Sequence, residues 1–178
     1  LIITTPHDQI FFQKLLGNGS NFGINITYEK QDKPEGIAQS LIIAEKFLNG
    51  SPSALILGDN IFYGNQLHEA LLSKKHSESG AIIFIFPVRD PNRYGVAEIS
   101  ENNIVIGIEE KPIKPKSPFA VTGLYFYDSD ASYYAKKLKP SKRGELEITD
   151  LNKIYIDKNQ LECIKLDKNS IWLDSGTH

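Results

Sequence analysis

The sequence predicts one α/β domain over residues 1–178, with a mixed, mostly parallel central sheet. Strand-like and helix-like segments alternate along the chain, which is typical of a sheet with helices on its faces. The apolar run 55–57 ends abruptly in Gly58-Asp59-Asn60, as in a strand that delivers a carboxylate to the carboxyl edge of an open sheet. Two short strands, 96–99 and 104–108, flank a polar turn and predict an antiparallel hairpin within that sheet.

The first quarter of the chain predicts two strands and two helices. Residues 1–5 are strand-like and are closed by Pro6. Phe11, Phe12, Leu15 and Leu16 recur at helical spacing before a glycine-rich turn. Residues 24–28 alternate as a strand does. After a polar loop with two chain-breaking residues, the segment 37–48 has the pattern of an amphipathic helix.

The rest of the chain continues the alternation. The strand that ends at Asp59 is expected to lead into an aromatic turn over 61–64. Three prolines within 111–118 require an extended loop. The remaining predicted elements are helices around 67–72, 133–138 and 148–155, and strands over 81–88, 119–127 and 161–166.

Composition excludes several classes of protein. Apolar residues make up 40% of the 178 and charged residues 24%, which argues against disorder. No apolar run approaches the roughly 20 residues that a bilayer helix needs. The formal net charge of −2 with mixed signs predicts no nucleic-acid surface. The one cysteine, Cys163, fits a reducing compartment, so a cytoplasmic location is expected.

Two aspartates are candidate metal ligands. Asp59 and Asp174 each follow an apolar run and each precede a turn residue. Two carboxylates brought together suit Mg²⁺, which prefers oxygen ligands and keeps positions for phosphates. Two unrelated turn aspartates explain the pattern equally well at this point. The four histidines form no metal spacing, and no Walker-type glycine loop is present.

Other polar residues have chemistry suited to a phosphorylated ligand, although each alone is more typical of structure. Lys111 follows Glu109-Glu110 at a strand end. Arg143 lies beside Gly144, and its planar fork matches phosphate oxygens. Gly95, directly after Tyr94, has no side chain, so the backbone there could approach a ligand closely. Gln31 has an amide that both donates and accepts, as reading a pyrimidine edge requires.

Taken together, these stretches resemble the sugar-phosphate nucleotidyltransferases, and among them the bacterial glucose-1-phosphate thymidylyltransferases. The match covers essentially the whole chain and keeps its order. The matching stretches are 16–20 (LGNGS), Gln31 with 34–39 (PEGIAQ), 57–60 (LGDN) with 63–64, 93–96 (RYGV), 109–112 (EEKP), 115–117 (PKS), 120–128 (AVTGLYFYD), 139–141 (KPS), 143–150 (RGELEITD) and 172–178 (WLDSGTH).

The resemblance implies a reaction and a cofactor. Glucose 1-phosphate would attack the α-phosphate of dTTP, giving dTDP-glucose and pyrophosphate with Mg²⁺ as cofactor. It also implies a three-layer, Rossmann-like nucleotidyltransferase core. The residue roles that it implies are Asp59 and Asp174 for Mg²⁺; Gln31, Gly36, Asp59 and Asn60 for the nucleotide; Glu110 for sugar hydroxyls; Lys111 and Arg143 for the sugar phosphate; Tyr94, Gly95, Val121 and Tyr125 for the sugar pocket; and Trp172 to support Asp174.

The chain also departs from the family pattern. The family's glycine-rich N-terminal loop, its first strand and its C-terminal helical part are absent, so the 178-residue piece alone is expected to be inactive or poorly active. The resemblance further implies a homotetramer, a second nucleotide-sugar site for feedback and supply of dTDP-rhamnose for surface polysaccharide. Two alternatives stay open: a sister enzyme that uses UTP or CTP, and a non-catalytic nucleotide-sugar sensor.

Overall fold

The computed structural model of the chain describes residues 1–74, 79–102 and 104–176, apart from the side chains of residues 65, 66, 73 and 74. The described part therefore excludes the last two residues of the matching stretch 172–178, residue 103 in the turn between the predicted strands 96–99 and 104–108, and His76. The chain divides into two compact units. The first comprises Leu1–Gly50 and Asp130–Leu151, and the second Ser51–Ser129 and Asn152–His178.

The first unit begins with a small parallel sheet. Strand β1 (Ile2–Thr4) pairs with β2 (Tyr28–Lys30), and helix α1 (Pro6–Leu16) lies between them in sequence. Thr5 caps α1 by accepting from the backbone N–H of Asp8. The second strand starts later than predicted because residues 24–26 close the turn after α1, where Ile24 and Ile26 donate to the carbonyls of Gly19 and Asn18.

Three short helices complete the first unit. The predicted helix over 37–48 is two helices, α2 (Gln39–Ile43) and α3 (Glu45–Leu48). They meet at Ala44, whose ψ of −8° departs from the helical value. Helix α5 (Ala131–Ala135) is anchored to α2, since the buried Ser132 hydroxyl donates to the carbonyl of Leu41 at 2.9 Å.

A six-stranded sheet forms the second unit's core. Its elements are β3 (Ser53–Ile56), β5 (Ala81–Pro87), β6 (Gly95–Ile99), β7 (Val105–Glu110), β8 (Phe119–Tyr127) and β9 (Leu161–Lys165). The strand order is β7-β6-β8-β5-β9, with β3 also paired to β8. Helix α4 (Asn65–Lys74) follows in this unit, and α6 (Ile148–Asp157) contributes residues to both units.

The α/β class and the mixed sheet are confirmed, but parallel pairings do not predominate. Among the described strands only β1–β2 and β5–β9 pair in parallel. Strands β3 and β5 do run in the same direction, as strand–helix–strand alternation predicts. However, β8 lies between them in the opposite direction, with Tyr127 opposite both Ser53 and Ala81. A later strand inserted between two earlier ones leaves no local pattern in the sequence.

The aromatic turn expected after Asp59 is wrong, because this segment is a strand of a third, two-stranded sheet. Residues Asn60–Tyr63 form β4, which pairs antiparallel with β10 (Ile171–Asp174). The register places Asn60 opposite Asp174 and Phe62 opposite Trp172. Alternate residues of β4 are more buried, so its aromatic character reflects a strand that is covered on one face.

The second unit buries a continuous apolar cluster formed by Leu67, Ile82, Phe84, Leu124 and Leu166. Side chains of β4, α4, β5, β8 and β9 pack against it. Because β4 contributes Phe62 to this cluster, the segment after Asp59 is held by core packing as well as by its strand ladder. Within the described ranges, no helix combines the length and the apolar character that crossing a bilayer requires.

Candidate functional site

The structure brings Asp59 and Asp174 together. A side chain added to Gly176 would meet Asp59 Oδ2 inside contact distance, and the same point lies 3.3 Å from Asp174 Oδ1. The two carboxylates therefore face one shared space, which stays open because residue 176 is glycine. The β4–β10 ladder and the turn 175–176 create this geometry. Ser175 donates both its N–H and its hydroxyl to the backbone carbonyl of Asp59, at 2.9 and 2.8 Å.

Backbone and side-chain donors orient both carboxylates. Asp174 Oδ1 accepts from the N–H of Gly176 at 3.0 Å, and Asp59 Oδ1 accepts from Asn60 Nδ2 at 2.8 Å. Within the described residues no hydrogen-bond donor contacts Asp59 Oδ2, the oxygen that faces the shared space. Such an arrangement holds a carboxylate in place while leaving one oxygen for a ligand.

These donors suit a hard cation. Both ligands at the shared space are carboxylate oxygens, as Mg²⁺ prefers, and Mg²⁺ usually takes only one or two carboxylates and completes its shell with water and phosphate. In the part of the chain that the structure describes, no group of three or more histidine, cysteine, aspartate or glutamate side chains could enclose a metal. Two carboxylates leave positions on such an ion for further oxygen ligands, such as those of water or a phosphate.

Trp172 links Asp174 to the predicted sugar-pocket residues. Its ring is buried and lies 5.2 Å from the ring of Tyr94, centroid to centroid, and 6.2 Å from that of Phe86. Tyr94 ends the short 3₁₀ turn Pro91–Arg93, and Gly95 begins β6 directly after it. The structure thus places Tyr94, Gly95 and Trp172 around one aromatic contact, two residues before Asp174.

Glu110 and Tyr125 also lie close to each other. Burial raises the pKa of Tyr125, and the nearby carboxylate of Glu110 raises the pKa further. Glu110 ends β7 opposite Gly95, so the strand register connects these two residues to the aromatic contact. Val121 is buried on the same strand as Tyr125, opposite Ile85. Glu110 and three of the four residues predicted for the sugar pocket, all but Tyr94, therefore lie on the paired strands β6, β7 and β8.

Lys111 has a backbone conformation that few side-chain-bearing residues adopt. Its φ is +43°, and its N–H donates to the carbonyl of Tyr94 at 2.9 Å. The hydrogen bond extends the β6–β7 pairing by one step beyond Glu110. A left-handed residue that is not glycine carries strain of about 1 kcal/mol or more, and such residues cluster at ligand sites. The strain therefore supports a functional reason for a lysine at this position.

In the first unit, the loop after β2 holds Gln31 and Gly36 together. Gln31 Nε2 donates to the carbonyl of Gly36 at 3.2 Å and to Gln39 Oε1 at 2.6 Å. Gln39 Nε2 in turn donates to Glu35 Oε2 at 2.8 Å. Both hydrogens of the Gln31 amide are thereby engaged. Within residues 1–74, 79–102 and 104–176, no donor contacts Gln31 Oε1, which leaves an acceptor available to a ligand.

Gly36 is required by a close backbone contact. Its φ is +103°, and a side chain there would overlap the backbone of Leu146. The two segments exchange hydrogen bonds, from Leu146 N–H to Glu35 O at 2.7 Å and from Ala38 N–H to Leu146 O at 3.2 Å. The loop that carries Gln31 is thus joined to the segment that follows Arg143.

Arg143 lies in a loop closed by two backbone hydrogen bonds, from Ser141 N–H to the carbonyl of Glu145 at 2.8 Å and from Gly144 N–H to the carbonyl of Ser141 at 2.9 Å. Its guanidinium contacts Glu145 Oε2 at 2.8 Å and Glu147 Oε1 at 3.8 Å. The structure places Arg143 with Gln31 and Gly36 in the first unit, whereas the other predicted site residues belong to the second.

Comparison with known proteins identifies the family of the chain. A model of the family described as nucleotidyl transferase matches residues 1–178. This chain belongs to that family. It is 54% identical over 178 residues to a glucose-1-phosphate thymidylyltransferase of Xanthomonas campestris pv. campestris (strain B100). It is 49% identical over 178 residues to one of Neisseria meningitidis serogroup A / serotype 4A (strain DSM 15465 / Z2491). The chain is covered completely in both comparisons but spans only 60% and 62% of these relatives.

Solved structures place the fold in the same nucleotidyl transferase family. One is a crystal structure from Bacillus anthracis of a chain assigned as a glucose-1-phosphate thymidylyltransferase, in complex with a sucrose. It is 44% identical to this chain with a TM-score of 0.88, and the match covers 99% of this chain and 70% of that one. A UDP-glucose pyrophosphorylase complexed with UDP-glucose is 20% identical with a TM-score of 0.73, and the match covers 97% and 69%. The second likeness supports the fold alone.

Two features of this nucleotidyl transferase site were not predicted. Strand β10 is too short to be recognised from alternation, so its pairing with β4 was missed. Gly176 was given no role, although its lack of a side chain keeps the space between the aspartates open. The pattern Asp-Ser-Gly after an apolar run was the available signal, since glycine often marks a close approach of ligand and backbone.

Proposed function

We propose that the whole protein is a glucose-1-phosphate thymidylyltransferase, and that this chain contributes its metal ligands, base-reading loop and sugar pocket. The observation that carries the proposal is the shared space between Asp59 and Asp174, in a chain that belongs to the nucleotidyl transferase family. Transfer from a nucleoside triphosphate needs a bound Mg²⁺, and two carboxylates at this position could serve as its protein ligands. Relatives at 54% and 49% identity carry this enzyme's name.

In the proposed reaction, a phosphate oxygen of glucose 1-phosphate attacks the α-phosphorus of dTTP. The new P–O bond gives dTDP-glucose, and the bond to the β-phosphate breaks and releases pyrophosphate. Mg²⁺, when bound, neutralises phosphate charge and orients the triphosphate. Asp59 and Asp174 would hold that ion. No covalent protein intermediate is required, because positioning and charge stabilisation account for most of the acceleration in such transfers.

The base-reading role of Gln31 rests on its available acceptor. Both Nε2 hydrogens are committed to Gly36 and Gln39, so Oε1 is the atom that would meet the base. Thymine and uracil present an N3–H donor, whereas cytosine in the same pose presents an acceptor. Two acceptors facing each other repel. We therefore expect dTTP and UTP to be preferred over CTP, and this atom alone does not separate thymine from uracil.

For the sugar phosphate, the positive charges of Lys111 and Arg143 would offset the phosphate charge. Glu110 would accept hydrogen bonds from sugar hydroxyls, beside Tyr125 and the buried Val121. Tyr94, Gly95 and Trp172 would form the aromatic side of the pocket. A sugar ring stacks well on aromatic faces while its hydroxyls need a charged acceptor, and these residues supply both.

The decisive experiment measures pyrophosphate release by the full-length gene product with glucose 1-phosphate and Mg²⁺ fixed, and with dTTP, UTP, CTP and ATP offered in turn. We expect the highest kcat/KM with dTTP and the lowest with CTP or ATP. A preference for UTP or CTP would assign the protein to a sister enzyme of the family. Absence of release with all four nucleotides, in a protein that still binds dTDP-glucose, would favour a sensor.

Three further properties belong to the same proposal. We expect the full-length protein to be cytoplasmic, to form a homotetramer and to supply dTDP-glucose for dTDP-rhamnose and surface polysaccharide. Light scattering of the purified full-length protein tests the tetramer. Loss of rhamnose from the polysaccharide of a deletion strain, with recovery on complementation, tests the pathway.

A further inference from the structure

The carboxamide of Asn60 connects three parts of the second unit. Its Oδ1 accepts from the backbone N–H of Gly123 at 2.9 Å and from Trp172 Nε1 at 2.6 Å. Its Nδ2 donates to Asp59 Oδ1 at 2.8 Å. Chemistry fixes this orientation of the amide, because the reverse would place an NH₂ group against two N–H donors.

Gly123 can serve Asn60 because strand β3 ends opposite it. The β3–β8 register places Ile56 opposite Leu124, and the hydrogen bond from Leu57 N–H to the carbonyl of Gly123 at 2.9 Å continues that ladder by one step. The carbonyl of Leu57 accepts instead from the N–H of Asn60 at 3.1 Å, in the turn after β3. The N–H of Gly123 therefore donates to Asn60 Oδ1, at 2.9 Å. A methyl group on residue 123 would overlap the Asn60 amide.

We propose that Asn60 is a positioning residue for the metal ligands. By donating to Oδ1 of Asp59, it turns the other oxygen, Oδ2, toward the space shared with Asp174. By accepting from Trp172, it ties β4 to β10 two residues before Asp174. The inference rests on the proposed function, and it adds a role toward the metal ligands to the expected nucleotide contact of Asn60.

The hydrogen bonds of the Asn60 amide support this role. Both lone pairs of Oδ1 are used by protein donors, and one of the two Nδ2 hydrogens is used by Asp59. Only one N–H of the amide is left in the described structure. Groups that hold a metal ligand in place typically contribute tenfold to a hundredfold to metal affinity or activity when they are changed.

The test compares two substitutions in the full-length protein. Asn60→Leu removes all three hydrogen bonds at similar side-chain volume. Asn60→Asp keeps both accepted bonds, but it cannot donate to Asp59 and places a second negative charge beside it. Asn102→Leu, an exposed position in the β6–β7 turn, is the matched surface control. Three quantities are measured for each protein: Mn²⁺ binding by electron paramagnetic resonance, the half-saturating Mg²⁺ concentration in turnover, and the NMR resonance of the Trp172 indole N–H. The variant Trp172→Phe identifies that resonance.

We expect Asn60→Leu to weaken Mn²⁺ binding and to raise the half-saturating Mg²⁺ concentration by at least about tenfold. The indole resonance should shift upfield because its acceptor is lost. Asn60→Asp should lower turnover by at least about tenfold while the indole resonance stays in place, which separates positioning from loss of fold. Asn102→Leu should match the wild type.

Wild-type Mg²⁺ dependence and wild-type turnover in Asn60→Asp would overturn the inference, and that variant decides the matter even if Asn60→Leu does not fold. Unchanged Mn²⁺ binding in a folded Asn60→Leu would overturn it as well. If the wild type releases no pyrophosphate but Asn60→Leu still loses Mn²⁺, the proposed function fails and the positioning role stands.

Discussion

Glycine makes room at both Gly176 and Gly36, but for different neighbours. At Gly176 a side chain would strike Asp59 Oδ2, a ligand-facing atom. At Gly36 it would strike the backbone of Leu146, and the φ of +103° already excludes most other residues. The carboxylate site around Gly176 therefore needs empty space for a ligand. The base loop around Gly36 needs close contact between two chain segments.

The two regions also differ in how far along the chain their side-chain hydrogen bonds reach. In the carboxylate site, Trp172 bonds Asn60 and Ser175 bonds Asp59, pairs separated by 112 and 116 residues. In the base loop, the two side-chain bonds of Gln31 span 5 and 8 residues. Changes at the carboxylate site should alter metal dependence with the fold retained. Changes in the base loop should alter stability and base preference.

The largest expected effect is that of Asp59→Asn. It removes one of two metal ligands, and metal ions supply several kcal/mol of transition-state stabilisation, so kcat should fall about a thousandfold. Pyrophosphate release by the full-length variant with dTTP measures the loss. Stability should change little because Asp59 is exposed. Full turnover in this variant would show that Asp59 is not a metal ligand. A wild type that binds dTDP-glucose but shows no turnover would favour the sensor.

Gly36→Ala should produce the largest loss of stability. The methyl meets backbone atoms that cannot rotate away, and the positive φ adds strain, so the free energy of unfolding should fall by about 3 kcal/mol. Gly23→Ala is the matched control, because Gly23 has a φ of +69° but open space around its Cβ position. It should lose about 1 kcal/mol from strain alone. Equal losses in urea denaturation would mean that the contact with Leu146 contributes nothing.

Gly176→Ala should affect the metal with little change in stability. The added methyl meets a side-chain oxygen that can rotate, so the carboxylate moves and the half-saturating Mg²⁺ concentration should rise about tenfold. In the control Gly107→Ala, a methyl finds nothing closer than 3.8 Å. A melting temperature that falls while Mg²⁺ dependence stays normal would reverse the contrast with Gly36.

The sequence alone predicted those parts of the fold that have local patterns. Strand β8 has the predicted bounds 119–127, and the hairpin of β6 and β7 was expected from its alternation around a polar turn. Strand β4 was mistaken for a turn because its partner, β10, comes more than a hundred residues later. The position of β8 between β3 and β5 was missed for the same reason.

The site was predicted as a set of residues without its geometry. Asp59 and Asp174 were paired by residue type and by resemblance, but only the β4–β10 ladder accounts for their meeting. The bonds of Asn60 to Gly123 and Trp172 were not predicted, because these partners lie on strands whose pairing no local pattern shows. The role of Gly176 depends on the positions of two other side chains, which a sequence pattern does not encode.

The smallest expected effect concerns Gln39, which helps to fix the amide of Gln31. Gln39→Leu removes the acceptor at 2.6 Å but leaves the bond from Gln31 to Gly36. One net hydrogen bond is worth about 1 kcal/mol or less, so the kcat/KM preference for dTTP over CTP should fall about threefold. Gln39→Glu keeps an acceptor for Gln31 and should retain the preference, although it can no longer donate to Glu35. If both variants lose the preference equally, the bond that both remove, from Gln39 Nε2 to Glu35, matters and the acceptor for Gln31 does not. If neither does, the bond to Gly36 alone fixes the Gln31 amide.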